Sequence, residues 1–125
     1  MIYLDTHVVA WLYAGKVDLI PKKVQNRISK EELLMSPIVT LELQYLFEIG
    51  RVSEQGSDVI QDLEKRIGLM ICELPFNVVI NCSVKQKWTR DPFDRIIVAQ
   101  ASLHASKLIT RDETILRNYK HALWG

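Results

Sequence analysis

Four short apolar runs alternate along the chain with segments of helical periodicity. The runs lie around Leu4, at 33–35, at 69–72 and at 107–110, and a final edge strand is plausible at 122–124. Continuous hydrophobic runs are typical of parallel strands that are covered on both faces. Strands that alternate with helices of this length predict an α/β fold with a parallel sheet and right-handed crossovers.

Seven helices are predicted from the apolar periodicity and from the proline and glycine residues that mark helix ends. They span 7–14, 21–30, about 37–49, 58–67, about 76–88, a segment from 92 onward, and about 113–118. No Gly/Ser linker divides the chain, and 125 residues with 48% hydrophobic side chains can bury one core. We therefore expect a single domain over 1–125.

Charge and cysteine content limit the function and the compartment. A formal net charge of +1 argues against binding through bulk positive charge. Cys72 and Cys82 lack nearby histidines at metal-ligand spacing, so we expect reduced thiols in a cytoplasmic protein. No apolar run approaches the roughly 20 residues that span a bilayer. We expect no membrane partner.

Two predicted strands end in a hydroxyl and a carboxylate. Asp5 and Thr6 follow the first strand, and Thr110 and Asp112 close the fourth. Ligands of open parallel sheets bind at the carboxyl ends of the strands, which makes both aspartates candidate site residues. Aspartate is also a favoured N-cap, and a capping role explains either position equally well.

Glu42 is a third candidate. It shares a predicted helix face with Ile38, Tyr45, Leu46 and Ile49, so we expect it to interrupt an apolar stripe. A carboxylate on an inward face normally has a cation, hydrogen-bond donors or a metal, because burying it alone costs several kcal/mol. A salt bridge, or a surface position at the edge of the stripe, is the alternative explanation.

Asp94 is the fourth candidate. Asp91 followed by Pro92 is a typical helix start, and an acid three residues beyond the cap is favoured by the helix dipole. Capping is a sufficient explanation of Asp91. Asp94 also lies on a predicted apolar face, with Ile97, Val98, Ala101 and Ala105.

The four acids together suggest a metal site, because a parallel sheet brings such strand-to-helix junctions to one edge. Neighbouring carboxylates raise one another's pKa unless a cation neutralises them. Oxygen ligands alone favour Mg²⁺ or Mn²⁺ over zinc. The natural chemistry of such a site is hydrolysis of a phosphate ester.

Several segments carry a family resemblance. Residues 2–12 (IYLDTHVVAWL), 36–43 (SPIVTLEL), 90–101 (RDPFDRIIVAQA) and 108–112 (LITRD) resemble the acid-bearing motifs of PIN-domain ribonucleases, and 122–124 also fits. The resemblance is greatest to the VapC-type toxins of bacterial toxin–antitoxin pairs. It covers nearly the whole chain and keeps the order of every acid, and its most specific part is Asp-Pro-Phe-Asp-Arg.

The resemblance implies a three-layer α/β/α sandwich on a central parallel sheet of four to five strands. It also implies an endoribonuclease in which Mg²⁺ or Mn²⁺, held by the four acids, activates water. One product would carry a 3′-hydroxyl and the other would keep the phosphate. Thr6 and Thr110 would orient water or metal ligands. The candidates for phosphate contacts are Lys85, Lys87, Arg90, Arg95 and Arg111.

The resemblance also implies protein partners, namely a cognate antitoxin, a second copy of the chain in a homodimer, and larger assemblies with the antitoxin. An antitoxin groove on the early helices is one interpretation of the apolar residues there, and we expect some of them to be exposed in the free protein. Those residues are Trp11, Leu12, Tyr45, Leu46 and Phe47.

Two alternatives remain open at this point. A phosphatase of the haloacid dehalogenase type would also place an aspartate after its first strand, but its second acid would stand where this chain has His7. A catalytically silent PIN-like module that binds RNA or protein would be expected to lose an acid, and none is missing. A dinucleotide-binding protein is unsupported, because no G-x-G-x-x-G follows the first strand.

Overall fold

Five parallel strands form one sheet in a computed structural model that describes all 125 residues. The strand order is β3-β2-β1-β4-β5, and every neighbouring pair is parallel. The strands are β1 (Ile2–Leu4), β2 (Leu33–Met35), β3 (Met70–Ile71), β4 (Lys107–Ile109) and β5 (Ala122–Leu123). Each predicted strand is present, including the final edge strand.

Seven helices connect these strands, as predicted. They are α1 (Thr6–Ala14), α2 (Lys22–Lys30), α3 (Ile38–Glu48), α4 (Gly56–Ile67), α5 (Phe76–Val84), α6 (Pro92–Leu103) and α7 (Glu113–Asn118). A 3₁₀ turn at Val17–Leu19 was not predicted. None of the helices combines the length and the apolar character needed to span a bilayer.

The chain winds outward from β1 in both directions. It first builds β2 and β3 on one side of β1, and then returns to place β4 and β5 on the other side. Because parallel crossovers are right-handed, this reversal puts the helices of the two halves on opposite faces of the sheet. The predicted three-layer α/β/α sandwich is therefore confirmed, with its topological switch point between β1 and β4.

The core is centred on β1, whose three residues are all fully buried. This matches the continuous apolar run in the sequence. At the sheet edge, Met70 and Ile71 of β3 are 43% and 38% exposed, because β3 pairs on one side only. The ordered strand is correspondingly shorter than the predicted run at 69–72.

Two helix boundaries differ from the prediction. Helix α5 ends at Val84 instead of about 88, because tight turns formed by the backbone of Lys85 and Gln86 close it. Helix α4 begins at Gly56, where a Cβ atom would lie 2.4 Å from the carbonyl oxygen of Thr40 on α3. Only glycine lets the two helices approach this closely.

Candidate active site

Asp5 lies at the switch point and is held by its neighbours on both sides. The pairing of Leu4 with Ile109 brings it beside the end of β4, and its amide donates to the Ile109 carbonyl at 3.0 Å. Its Oδ2 accepts from Thr110 Oγ1 at 2.6 Å, and its Oδ1 accepts from the Thr6 amide at 2.8 Å. Burial raises the pKa of Asp5 above its usual range, and these two hydrogen bonds oppose that rise.

Capping also contributes at both strand ends. The contact of Asp5 with the Thr6 amide is made at the N-cap of α1. Asp112 caps α7 by accepting from the Ile115 amide at 2.9 Å. The Asp112 amide in turn donates to Thr110 Oγ1 at 3.0 Å, so one threonine links the two acids. The capping role and a position at the edge of the site therefore coexist.

Glu42 is half-buried, and its Oε1 accepts from Thr6 Oγ1 at 2.5 Å. Threonine 6 thus contacts Asp5 through its amide and Glu42 through its hydroxyl. Burial is the main cause of a raised Glu42 pKa, and the charge of Asp5 adds to it. This carboxylate has no capping role, since it lies inside α3.

The prediction that Glu42 interrupts a buried apolar stripe was wrong. The buried residues of α3 are Val39 and Leu43, whereas Tyr45 and Ile49 are 49% and 48% exposed. The helix turns a face centred on Val39 and Leu43 toward the core, and Glu42 lies at the edge of that face. The alternative position at the edge of the stripe is the correct one.

Asp94 lies on the first turn of α6. The residues that share its face and are buried are Ile97, Val98 and Ala101, whereas Ala105 lies beyond the helix end with φ 49°. Asp91 caps the helix by accepting from the Phe93 and Asp94 amides at 2.8 and 3.2 Å. The predicted face is thus correct except for Ala105.

The pKa of Asp94 indicates that the other acids lie near it. This pKa is raised to about 8, mainly by burial and further by the charges of Asp91, Asp5, Asp112 and Glu42. The three ion pairs of the molecule lie elsewhere and join Met1 and Arg27 to Glu31, and Arg66 to Asp62. The acids therefore face one another without an ion-paired lysine or arginine.

The side chains do not already form a closed metal cage. No three Asp, Glu, His or Cys side chains are close enough together, as they stand, to enclose an ion. His7 is a residue that the sequence reasoning overlooked, since its charge lowers the pKa of both Asp5 and Glu42. Its position two residues after Asp5 was the available signal.

The candidate phosphate-binding residues differ in what their side chains contact. Arg90 and Arg95 donate to backbone carbonyls within 87–89, at 3.0 and 2.8 Å. The guanidinium of Arg111 lies over the Trp11 ring, 5.8 Å from its centroid. The exposed lysines of the same set are Lys85 and Lys87.

Comparisons with known proteins agree with this fold. The family model of the PIN domain matches residues 2–121. Among solved structures, VapBC2 from Rickettsia felis bound to a DNA fragment from its promoter gives a TM-score of 0.68 at 18% identity, covering 100% of both chains. VapBC-1 from nontypeable Haemophilus influenzae gives 0.65 at 23% identity, covering 100% of this chain and 97% of that one. A toxin–antitoxin complex from Klebsiella pneumoniae gives 0.63 at 18% identity, covering 98% and 96%.

No curated protein matches the sequence. The structural similarities, all below 25% identity, establish the fold, and the family model covers nearly the entire chain. The motifs that carry the acids lie within the matched residues. As the resemblance predicted, the chain belongs to the PIN-domain family.

Proposed function

We propose that this protein is a metal-dependent endoribonuclease that acts as the toxin of a toxin–antitoxin pair. One observation carries the proposal: near the switch point of a PIN-domain sheet, the charges of Asp5, Glu42 and Asp112 all act on Asp94, and none of these acids is ion-paired. Ligands of parallel sheets bind at such a point. Membership of the PIN-domain family favours this function over a phosphatase of the haloacid dehalogenase type.

The donor set fits Mg²⁺ or Mn²⁺. It consists of carboxylate oxygens, the ligands that these hard cations prefer. It contains no thiol and no cluster of imidazoles, which are the ligands typical of zinc. Clustered carboxylates that raise one another's pKa are stabilised by a divalent cation. When bound, the metal would supply a hydroxide nucleophile and offset the charge of the phosphate.

The chain's own residues would fix the positions of the acids. Thr110 and the Thr6 amide hold the two oxygens of Asp5, and Thr6 Oγ1 holds Glu42. The donors lie on α1 and directly after β4, and the acceptor Glu42 lies on α3, so these bonds fix the relative positions of α1, α3 and the end of β4 at the site. Asp94 has no side-chain hydrogen bond, so it is the acid that can most easily turn toward a ligand.

The substrate would be RNA, cut to leave a 3′-hydroxyl on one product and the phosphate on the other. Arg90, Arg95 and Arg111 remain the candidates for phosphate contacts. Arg90 directly precedes Asp91, the cap of α6, and Arg95 lies on the first turns of that helix. Arg111 directly precedes Asp112. Their positive charge near the acids would offset repulsion between the site and the RNA backbone.

The activity is tested by incubating the purified protein with RNA and Mg²⁺ or Mn²⁺. Cleavage should require the metal and should be lost in Asp5→Asn and Glu42→Gln. These substitutions keep the size of each side chain, and circular dichroism shows whether the fold is intact. Cleavage that persists unchanged in Asp5→Asn or in chelator would refute the mechanism. A folded wild-type protein without cleavage on any RNA would favour the silent PIN-like module.

A cavity of about 560 Å³ that could accommodate part of an antitoxin lies between α1 and the region where α3 leads into α4. Trp11 and Leu46 line it, whereas Tyr45 does not. None of the five residues predicted to form an antitoxin groove is fully buried, so the expected exposure is confirmed. We propose this cavity as the site for an antitoxin segment with apolar side chains, because Trp11 and Leu46 line it; one structural neighbour is a toxin–antitoxin complex.

Partner binding is tested by co-expression with the product of the adjacent gene. Leu46→Asp should reduce co-purification, because it places a charge among the hydrophobic residues that line part of the cavity. A homodimer is tested by the molar mass in solution. The surface that best fits self-association is on α5, where Phe76 and Val84 are 74% and 60% exposed.

A further inference from the structure

Tyr45, which is exposed, and Phe93, which is half-buried, form an aromatic pair on the helices that carry Glu42 and Asp94. Their ring centroids are 6.1 Å apart and the ring planes are inclined by 31°. Tyr45 stands on α3 three residues after Glu42, and Phe93 directly precedes Asp94 on α6. The pair therefore bridges the two helices that carry these acids.

This pair lies on a different surface from the cavity proposed for the antitoxin. Leu43 and Leu46 of α3 line that cavity together with α1, whereas Tyr45 contacts Phe93 on α6. Helix α3 thus presents one side to α1 and another to α6. Tyr45 remains 49% exposed even though its ring contacts Phe93.

Cations and acids both occur in the segment that contains Phe93. Segment 85–95 carries four lysine and arginine residues beside Asp91 and Asp94, and none of the four forms an ion pair. Aromatic rings interleaved with cations suit single-stranded nucleic acid, whose bases stack on the rings while its phosphates meet the positive charge. A second copy of this chain or an apolar peptide would not require this positive charge.

We propose that Tyr45 and Phe93 form a stacking platform for an unpaired base next to the phosphate that is cut. This inference rests on the proposed function and adds to it a positioning role for Tyr45 and Phe93. In a duplex each base is stacked on its neighbours and cannot lie on the tyrosine ring. The platform positions RNA relative to the acids and takes no part in bond cleavage.

The test measures RNA binding in an Asp94→Asn background with Mg²⁺, where the substrate is not cut. The probes are a single-stranded RNA oligonucleotide with one 2-aminopurine, whose fluorescence is quenched by stacking, and the same sequence as a duplex. Tyr45→Leu should weaken binding of the single strand about 10-fold and abolish the quenching, with little effect on the duplex. Tyr45→Phe keeps the ring and should bind as the parent does.

Leu103→Ala is the matched control, because Leu103 is 40% exposed at the opposite end of α6 from Asp94. It should leave RNA binding unchanged. In the otherwise wild-type protein, Tyr45→Leu should raise KM for single-stranded RNA and leave kcat nearly unchanged. A purely structural role of Tyr45 would instead lower the melting temperature and reduce binding of both RNA forms.

The outcomes separate the platform from the proposed function. If the wild type cuts RNA and Tyr45→Leu neither changes KM nor alters the quenching, the platform is refuted and the nuclease stands. If the protein binds single strands through Tyr45 but never cuts RNA, the nuclease proposal fails alone. If Tyr45→Leu alters the molar mass or antitoxin binding and leaves RNA binding intact, the pair is a protein contact. A wild-type protein that binds neither RNA form overturns both proposals.

Discussion

Replacing Asp94 by asparagine should stabilise the metal-free protein and abolish RNA cleavage. The Asp94 carboxylate has no side-chain hydrogen bond that the substitution would break. Its burial and the neighbouring acids make its ionised form unfavourable in the folded state, and asparagine removes that charge at nearly constant size. A residue retained for binding a cation should therefore cost stability when the cation is absent.

The magnitude follows from the pKa of Asp94, which rises in the folded protein from 3.8 to about 8. Between these values the folded protein holds a proton that the unfolded chain releases, so its stability falls as the pH rises from about 4 to about 8. At pH 7 the loss of folding stability caused by Asp94, before solvent screening is considered, amounts to about 4 kcal/mol. Solvent screening of the partly exposed side chain reduces it to about 2 kcal/mol, or roughly 8 °C in melting temperature.

The assay is urea and thermal unfolding of wild type and Asp94→Asn in chelator, from pH 4 to pH 9. The gain in stability of the variant over wild type should increase across this range and should be small near pH 4, where the unfolded chain has only begun to release the proton that the folded protein keeps. Added Mg²⁺ should stabilise the wild type more than the variant. A variant that is less stable than wild type at pH 8, or a difference that does not change with pH, would contradict the electrostatic argument.

Three further predictions concern the residues around the site. Thr110→Val leaves a buried oxygen of Asp5 without its donor, and should cost about 1–3 kcal/mol in urea unfolding and lower kcat. Gly56→Ala forces a Cβ against the Thr40 carbonyl and should cost about 1–3 kcal/mol, with cleavage per folded molecule unchanged. Chelator should stop RNA cleavage and Mg²⁺ or Mn²⁺ should restore it; cleavage that persists after dialysis against chelator would exclude a metal mechanism.

Much of the fold could be predicted because the strands are short and buried on both faces. The residues of β1 form a continuous apolar run that is too short for a typical helix, and its burial is complete. The edge strand β3 was less well defined by its sequence. Its exposed Met70 and Ile71 depend on strand order, which local patterns do not contain.

The candidate site was predicted residue by residue, but its contacts were not. Helix α3 carries two overlapping apolar stripes, and periodicity alone cannot tell which one faces the core. The choice of Val39 and Leu43 depends on how the helix lies on the sheet. Likewise, the hydroxyls of Thr6 and Thr110 were placed beside the acids, yet the bond from Thr6 to Glu42 depends on the position of α3.

The hydrogen bond between Thr110 and Asp5 joins residues 105 positions apart. During synthesis at about 5–20 residues per second, several seconds separate the emergence of Asp5 from that of Thr110. The sheet cannot place β4 beside β1 before then, because that strand does not yet exist. A ribosome-bound chain therefore carries Asp5 without the residues that fix its position. The nascent protein should consequently not cleave the RNA of the ribosome that synthesises it.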